Sequence, residues 1–333
     1  MEISFTGAPE YMDRTVGYGE ASVQIFQALG KLGIDCKVKS KSANIGISFI
    51  QPNEYTFGKY QYKIGYTPWE STDIPKDWEY PLKEHIDELW VTSPWVAEVF
   101  KHKTNKPIFI YEHGIDDTWI PNLKEINSSR PFRFLHIGEP SSRKDAQMVV
   151  DAFVNTFGED PNYELILKCS NLNTTQVSDP KDSKIKGSPG SFYNNIKTIE
   201  SFLSVEQMNG LYNLCDVFVY PSWGEGFGLN PLQAMAMGIP TICTAGWATY
   251  ERYITMPLNS TWNVSPWPEI HPGLMLKPNY NELKFYMRDV AKNYNKYAQL
   301  SYRNAFLIHK DYNWEKVSRP AAERLKQIKT EYF

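Results

Sequence analysis

Long apolar runs are missing from this sequence. Its uninterrupted apolar stretches are short, Val217-Phe218-Val219-Tyr220 being typical, far below the roughly 20 residues that cross a bilayer as a helix. No transmembrane helix is expected. An excess of one charge is missing too: 38 acidic against 35 basic side chains leave a net charge of -3, so no global positive field recruits nucleic acid or an anionic membrane. A polyanion could be held only by a local patch. Cysteine is scarce, with four in 333 residues. Cys36, Cys169, Cys215 and Cys243 are widely scattered and three lie in or beside apolar runs, which reads as buried thiols, not disulfides or a metal site. The start, Met1-Glu2-Ile3-Ser4-Phe5-Thr6, lacks the basic and apolar regions of a signal peptide and reads as a first strand, which places the chain in the cytosol. No repeat of fixed period is present. What remains, 42% apolar and 22% charged residues, is ordinary globular composition and excludes collagen, disordered tails and small disulfide scaffolds. At about 150 residues per domain the length implies two domains.

Short β-branched or aromatic runs alternate with helical patterns throughout, as in parallel sheets covered by helices on both faces. In the first half the strand candidates are 3–6, 36–39, 45–50, 63–66, 88–91 and 108–111. Between them, a helix over 20–32 puts Val23, Phe26, Leu29 and Leu32 on one face, with Gly33 as its stop. Ser93-Pro94 opens another helix, serine as N-cap and proline at the first helical position. Prolines and small polar residues cluster at 121–131 and mark a domain boundary. A second series follows: strand 132–137, helix 144–157, strand 164–169, helix 205–214, strand 217–220, helix 231–237 and strand 241–244. Ser204 with Gln207 is a capping-box signature. Asn230-Pro231 is read as the cap of the next helix and Gly238 as its stop. Residues 171–192 read as a long surface loop and 259–278 as a second irregular stretch. Helices over 282–307 and 314–329 close the chain.

The most informative segment is Tyr220-Pro221-Ser222-Trp223-Gly224-Glu225-Gly226-Phe227-Gly228-Leu229-Asn230-Pro231-Leu232-Gln233. It is a buried strand, a glycine-rich loop with one acid, then a helix N-terminus. Free backbone N–H groups at such a terminus favour an anion, and glycines let the main chain approach a ligand closely. This segment, continued to Pro240, resembles the signature of the retaining GT-B glycosyltransferases of family 4, P-S-x-x-E-G-F-G-L-x-x-L-E-A-M-A-x-G-x-P. The resemblance implies that Glu225 contacts hydroxyls of the donor sugar and that Gly226, Phe227, Gly228 and Leu229 hold sugar and phosphate through the backbone. The family's second glutamate, which holds the nucleotide ribose, is Gln233 here and loses the charge-assisted bonds.

Further likenesses extend over most of the chain. Phe134 to Asp145 resembles the family's strand, glycine turn at Gly138 and basic pair, here Arg143 and Lys144, cations that neutralise a diphosphate leaving group. Glu139 stands where the family often has an arginine, and Lys168, at the next strand end, is a third phosphate-ligand candidate. Thr15-Val16-Gly17-Tyr18-Gly19 resembles the N-terminal loop that faces the donor phosphates. As a dinucleotide fingerprint it is weak, because about ten residues separate it from the first strand. Gly65-Tyr66-Thr67-Pro68-Trp69-Glu70 resembles a pattern found in a subset of these enzymes and makes Glu70 an acceptor-side acid or base candidate. A histidine that many relatives carry nearby is absent. His113-Gly114-Ile115-Asp116 resembles the end of the family's first domain and reads as structural. Asp116-Asp117 is too sparse for a metal site. Asp311 to Glu315 resembles the closing segment before the last helix crosses back.

The expectation is therefore an α/β, GT-B enzyme. Two Rossmann-like domains (1–126 on the acceptor side, 127–312 binding the nucleotide-sugar) face each other across a cleft, and a crossover helix (313–333) packs on the first. A nucleotide-diphosphate sugar is the donor substrate, with Glu225, Glu70, Lys144 and Arg143 as catalytic candidates. No cofactor and no metal are required. The acceptor is a hydroxyl on a glycan or lipid-linked saccharide, or on a hydroxylated base in DNA extruded into the cleft. Lys37, Lys39 and Lys41, Lys101, Lys103 and Lys106, and Lys181, Lys184 and Lys186 are phosphate-contact candidates for the latter. Two other classes remain open: a non-catalytic sugar-nucleotide binding module, and a nucleotide-sugar epimerase.

Overall fold

The structure is a computed structural model that describes residues 1–13, 17–126, 129–169, 177–179 and 181–333. Two six-stranded parallel sheets carry the fold. The first contains β1 (Glu2–Gly7), β2 (Asp35–Val38), β3 (Ile45–Phe49), β4 (Tyr62–Thr67), β5 (Glu88–Val91) and β6 (Ile108–Ile110), in the order β2-β1-β3-β4-β5-β6. β3 and β5 are buried along their whole length, so they read as near-continuous apolar runs, the mark of a strand covered on both faces. The second half contains β7 (Phe132–Ile137), β8 (Tyr163–Lys168), the antiparallel pair β9 (Val177–Asp179) and β10 (Asp182–Gly187), β11 (Ile196–Ile199), β12 (Val217–Tyr220), β13 (Thr241–Thr244) and β14 (Met256–Leu258). Its large sheet runs β11-β8-β7-β12-β13-β14. A second antiparallel hairpin, β15 (Ser260–Val264) and β16 (Leu274–Pro278), follows.

Helices α1 (Gly17–Lys31), α2 (Glu79–Glu84) and α3 (Pro94–Phe100) belong to the first half, and α4 (Ala146–Phe157), α5 (Val205–Leu214), α6 (Leu229–Ala236), α7 (Tyr280–Lys292) and α8 (Tyr294–Tyr312) to the second. The last, α9 (Trp314–Tyr332), returns to the first sheet. Ala321, Ala322, Leu325 and Ile328 of α9 join the core formed by Ile3, Phe5, Ile47 and Ile64 with Ala21, Ile25 and Leu29 of α1. Arg324 of α9 ion-pairs with Glu88 at 2.7 Å, and Tyr62 and Trp90 donate further bonds to that carboxylate, each at 2.9 Å. A buried acid on a central strand is costly unless paired, and the crossing helix supplies the partner. The crossover is pinned where Ile115 N donates to Tyr312 O at 2.8 Å and Trp314 N to Ile115 O at 3.2 Å.

Several local expectations need correction. The buried face of α1 is Ala21, Ile25, Ala28 and Leu29, while Val23, Phe26 and Leu32 are only half-buried, because sheet and α9 cover the helix from two sides. Residues 177–179 and 182–187 form a hairpin in place of loop, with 170–176 and 180 outside the described residues. The stretch 259–278 is the β15–β16 hairpin, whose prolines at 266, 268 and 272 lie in the turn and whose Pro278 ends β16, so the short strands are masked in the sequence. The expected helix over 282–307 is two helices that break at Asn293. Gly228, with φ +83°, caps α6, which starts two residues before Pro231. Asp145 caps α4 by accepting from Met148 N at 3.0 Å, leaving Arg143 and Lys144 in the preceding loop.

Leu325→Ala should lower stability by about 2–5 kcal/mol through loss of fully buried contacts, whereas Leu307→Ala on the exposed side of α8 should stay within about 0.5 kcal/mol. Urea midpoints read the difference. A Leu325 variant as stable as the parent would mean that α9 does not pack as described.

Candidate active site

Adjacent parallel strands β8, β7 and β12 end on the same edge of the second sheet, the edge at which open α/β sheets bind ligands. Lys168 ends β8, Gly138 follows β7, and Tyr220 ends β12. The loop after β7 carries Arg143 and Lys144, and the loop after β12 carries Glu225. These three side chains are buried together. Glu225 Oε1 accepts from Arg143 Nη1 at 2.8 Å, Lys144 Nζ at 2.6 Å, Ser222 Oγ at 2.5 Å and Tyr220 OH at 3.1 Å. All four donors converge on one oxygen, and Oε2 receives none of them. Arg143 also donates to Gly224 O at 2.7 Å and to Glu139 Oε1 at 3.0 Å. Lys144 donates to Tyr220 OH at 2.5 Å. Burial acts to raise the Glu225 pKa, but Arg143 and Lys144 outweigh it and draw the carboxyl down to about 2. Burial, reinforced by Arg143, lowers Lys144.

The first domain closes on this loop. Thr92, just past β5, donates its hydroxyl to Gly226 O at 2.7 Å. A Cβ at position 224 would collide with Glu70 O, and one at 226 with Pro68 and the Trp69 amide. The glycines are thus required by contact with the loop after β4, and Gly228 is further required by its positive φ and by Trp247 and Tyr250. Glu70, on that loop, is half-buried, and its carboxylate makes no hydrogen bond among the described residues. Burial raises its pKa, Glu225 adds to the rise, and Arg143 and Lys144 oppose it. His271 Nδ1 lies 3.5 Å from Glu70 Oε2 without hydrogen-bond geometry. His271 comes from the turn of the β15–β16 hairpin and packs against Trp69, its ring tilted by 44° at a centroid distance of 4.8 Å. Burial and then Arg143 lower it to about 3. No motif marks His271 in the sequence; only the fold of the hairpin, which looked irregular, brings it beside Glu70.

The remaining candidates are placed as follows. Gly138 lies against Lys144 and His136. Lys168 is buried, donates to Cys169 O at 2.5 Å, and does not join the Glu225 cluster; burial lowers its pKa. Gln233 is buried on α6, and no side chain caps the first turn of that helix. Phe227 is a core side chain, packed on His113 at 5.3 Å and Tyr250 at 5.7 Å, and Leu229 packs between the two cores. At the N-terminal loop, Gly17 is exposed, Gly19 backs onto the Asp13 main chain, and Tyr18 bonds Thr67 within electrostatic reach of Glu70. Thr15, Val16 and the side chain of Lys184 lie outside the described residues. His113 is buried with its Nε2 unpartnered, and Asp116 is bonded by Gln24 and Thr118.

Known proteins resemble this chain in part of its sequence and in its fold. Residues 131–254 match the family described as glycosyl transferases group 1. Over 41 residues the chain is 54% identical to the serotype-specific mannosyltransferase WbdA of Escherichia coli, which is 12% of this chain and 5% of that protein. Over 76 residues it is 36% identical to the O-antigen chain mannosyltransferase B of Escherichia coli, 22% of this chain and 15% of that protein. The chain thus matches only a small part of the length of these curated relatives. Among solved structures, sucrose-phosphate synthase from Thermosynechococcus elongatus superposes with a TM-score of 0.70 at 15% identity, over 99% of this chain and 100% of that one. A glycosyltransferase from Rickettsia africae gives 0.68 at 13% identity, over 98% of each chain. The GT-B fold, two Rossmann-like domains with a crossing C-terminal helix, is established by these likenesses, and the matched segment supports a glycosyltransferase.

Three histidines, His113, His136 and His271, are buried and lowered to about 3, 4 and 3, desolvation being the largest cause in each. Unfolded histidine titrates near 6.5, so between that value and about 4 the unfolded chain binds more protons and stability falls as pH falls. The loss is at most on the order of 4 kcal/mol per pH unit for three groups. Denaturant midpoints at pH 7, 6 and 5 should show this loss, and His271→Gln should remove about one third of the slope. An unchanged slope in that variant would mean that folded His271 carries its proton.

Proposed function

We propose that the protein is a retaining glycosyltransferase that moves a sugar from a nucleotide-diphosphate sugar to a saccharide hydroxyl. One observation carries the reading: a buried carboxylate is clamped through Oε1 alone by Arg143, Lys144, Ser222 and Tyr220, which leaves Oε2 to accept from hydroxyls of a donor sugar. The uncapped first turn of α6, together with Lys144, Arg143 and Lys168, supplies positive potential for the diphosphate. In a front-face transfer the donor phosphate oxygen helps to take the acceptor proton, and the bond from the anomeric carbon to the leaving phosphate breaks as the new glycosidic bond forms on the same face. Arg143 and Lys144 stabilise charge on the departing diphosphate without a metal ion. Glu70, held from the first domain against Glu225 and His271, is the acceptor-side acid or base.

A saccharide acceptor is favoured over DNA by the placement of the lysines. Lys37 lies on β2 and Lys39 just past it, at one edge of the first sheet, and Lys101, Lys103 and Lys106 lie between α3 and β6 at the opposite edge. Such runs do not merge into one patch. Lys37, Lys101, Lys103 and Lys181 are also paired with Asp35, Glu98, Asp73 and Glu159. The two mannosyltransferase relatives make a mannosyl donor the first to test, and the four free thiols fit a reducing cytosol.

Nucleotide-sugars screened by thermal shift should raise the melting temperature for one donor class. With that donor, Glu225→Gln should lower turnover by about 100-fold or more, and Glu70→Gln should reduce transfer to acceptor more than donor hydrolysis. Stabilisation by nicotinamide dinucleotides alone, or full turnover in a folded Glu225→Gln protein, would overturn the proposal.

A further inference from the structure

Lys144 is followed by a strained residue. Asp145 has φ +52° and ψ +51°, the left-handed region that is unfavourable for a residue with a side chain and persists only where the surroundings hold it. Both oxygens of its carboxylate are occupied. Oδ1 accepts from Met148 N at 3.0 Å and so caps α4, while Oδ2 accepts from Trp223 Nε1 at 2.9 Å. The kink between Lys144 and α4 is therefore fixed from two directions, by the helix that follows it and by the loop that carries Glu225. Lys144 itself has little room. A Cβ at position 138 would come within 3.2 Å of its Cβ and Cγ, and its ammonium reaches Tyr220 OH and Glu225 Oε1.

Trp223 is held at three points. Its N donates to Arg143 O at 3.0 Å, its O accepts from Leu276 N of β16 at 2.8 Å, and its indole N–H goes to Asp145. β16 is bonded in turn to the first domain, where Leu274 N donates to Thr72 Oγ1 at 2.7 Å and Thr72 N to Leu274 O at 3.0 Å. Trp223 thus ties down the residues on both sides of Lys144, Arg143 through the main chain and Asp145 through the side chain, from a point two residues before Glu225. Neither Asp145 nor Trp223 contributes a donor to the Glu225 clamp. A lysine ammonium rides on a flexible four-carbon stem, so its aim depends on the backbone direction at its own Cα and on the spacing of the two loops. The Trp223–Asp145 bond sets both.

We propose that Asp145 and Trp223 are positioning residues which, through the bond from Trp223 Nε1 to Asp145 Oδ2, hold the Lys144 ammonium where it meets Glu225 and the leaving diphosphate. Their part in turnover rests on the transferase reading, while the hold on Lys144 is measurable without it. Trp223→Phe keeps an aromatic ring and removes the donor. Asp145→Asn keeps a residue that tolerates the left-handed region and caps helices, but its single acceptor oxygen cannot serve both N–H groups. With a donor found by thermal shift, each folded variant should lower kcat and kcat/KM together by about tenfold or more, with donor KM within about twofold of the parent, the pattern of an interaction made only in the transition state. The double variant should be no slower than the slower single, because both changes remove one bond. In the free protein, acylation of Lys144 by an N-hydroxysuccinimide ester, read by peptide mass, should be several-fold faster in each variant than in the parent. Parent-like kcat in folded Trp223→Phe and Asp145→Asn proteins, a loss confined to KM, additive losses in the double variant, or unchanged labelling of Lys144 would each overturn the assignment. Faster labelling in the variants together with no donor-linked shift or turnover in the parent would support the hold on Lys144 and count against the transferase reading instead.

Discussion

Everything at the cleft depends on keeping one carboxylate ionised inside protein. Glu225 is 6% exposed, and an isolated buried carboxylate would take up a proton before it stayed charged. Two cations and two hydroxyls prevent this, and they come from two different loops. The loop after β7 must bring Arg143 and Lys144 to the loop after β12, so the clamp fixes both loop conformations. Breaking such a group by removing one partner is far costlier than the net worth of the pair, because the survivors remain buried and charged. The arrangement is thus weak evidence for stability and stronger evidence for a retained chemical role.

The glycines around Glu225 belong to the same constraint seen from the other side. The sequence pattern suggests room for a ligand, while the structure shows the first-domain loop at Pro68–Glu70 filling part of that room against Gly224 and Gly226. Both statements describe one device. Side chains at these positions would hold the domains apart and leave Glu70 remote from Glu225. With glycine the two acids approach closely enough for Glu70 to feel the charge of Glu225.

Much of this was legible in the chain. Fully buried strands such as β5, β12 and β13 announce themselves as short runs with sharp ends, and the caps Ser93 and Ser204 form as their spacing implies. The Glu225 loop and the Arg143-Lys144 pair were visible as motifs. Hidden were the features that depend on contacts distant in sequence. The β15–β16 hairpin has a polar, proline-containing sequence because both of its faces are partly solvated, and its stability comes from Thr72 and the cleft. His271 has no local signature for the same reason. The face of α1 was misplaced because α9, three hundred residues later, covers a side that a lone amphipathic helix would leave in water.

Glu70 and Glu225 then separate in role by environment alone. Both carboxylates lie on facing loops, yet at Glu225 the cations Arg143 and Lys144 outweigh burial and lower the pKa, whereas at Glu70 burial, aided by the charge of Glu225, outweighs the same cations and raises it. A pair of acids pushed apart in this way can divide labour at one pH, one remaining an acceptor of hydrogen bonds and the other able to exchange a proton. Burial keeps His271 neutral, so it gives Glu70 no cation to hold the carboxylate ionised, and its unpartnered Nδ1 lies 3.5 Å from Glu70 Oε2. The hairpin of the second domain therefore sets a neutral imidazole against an acid carried by the first.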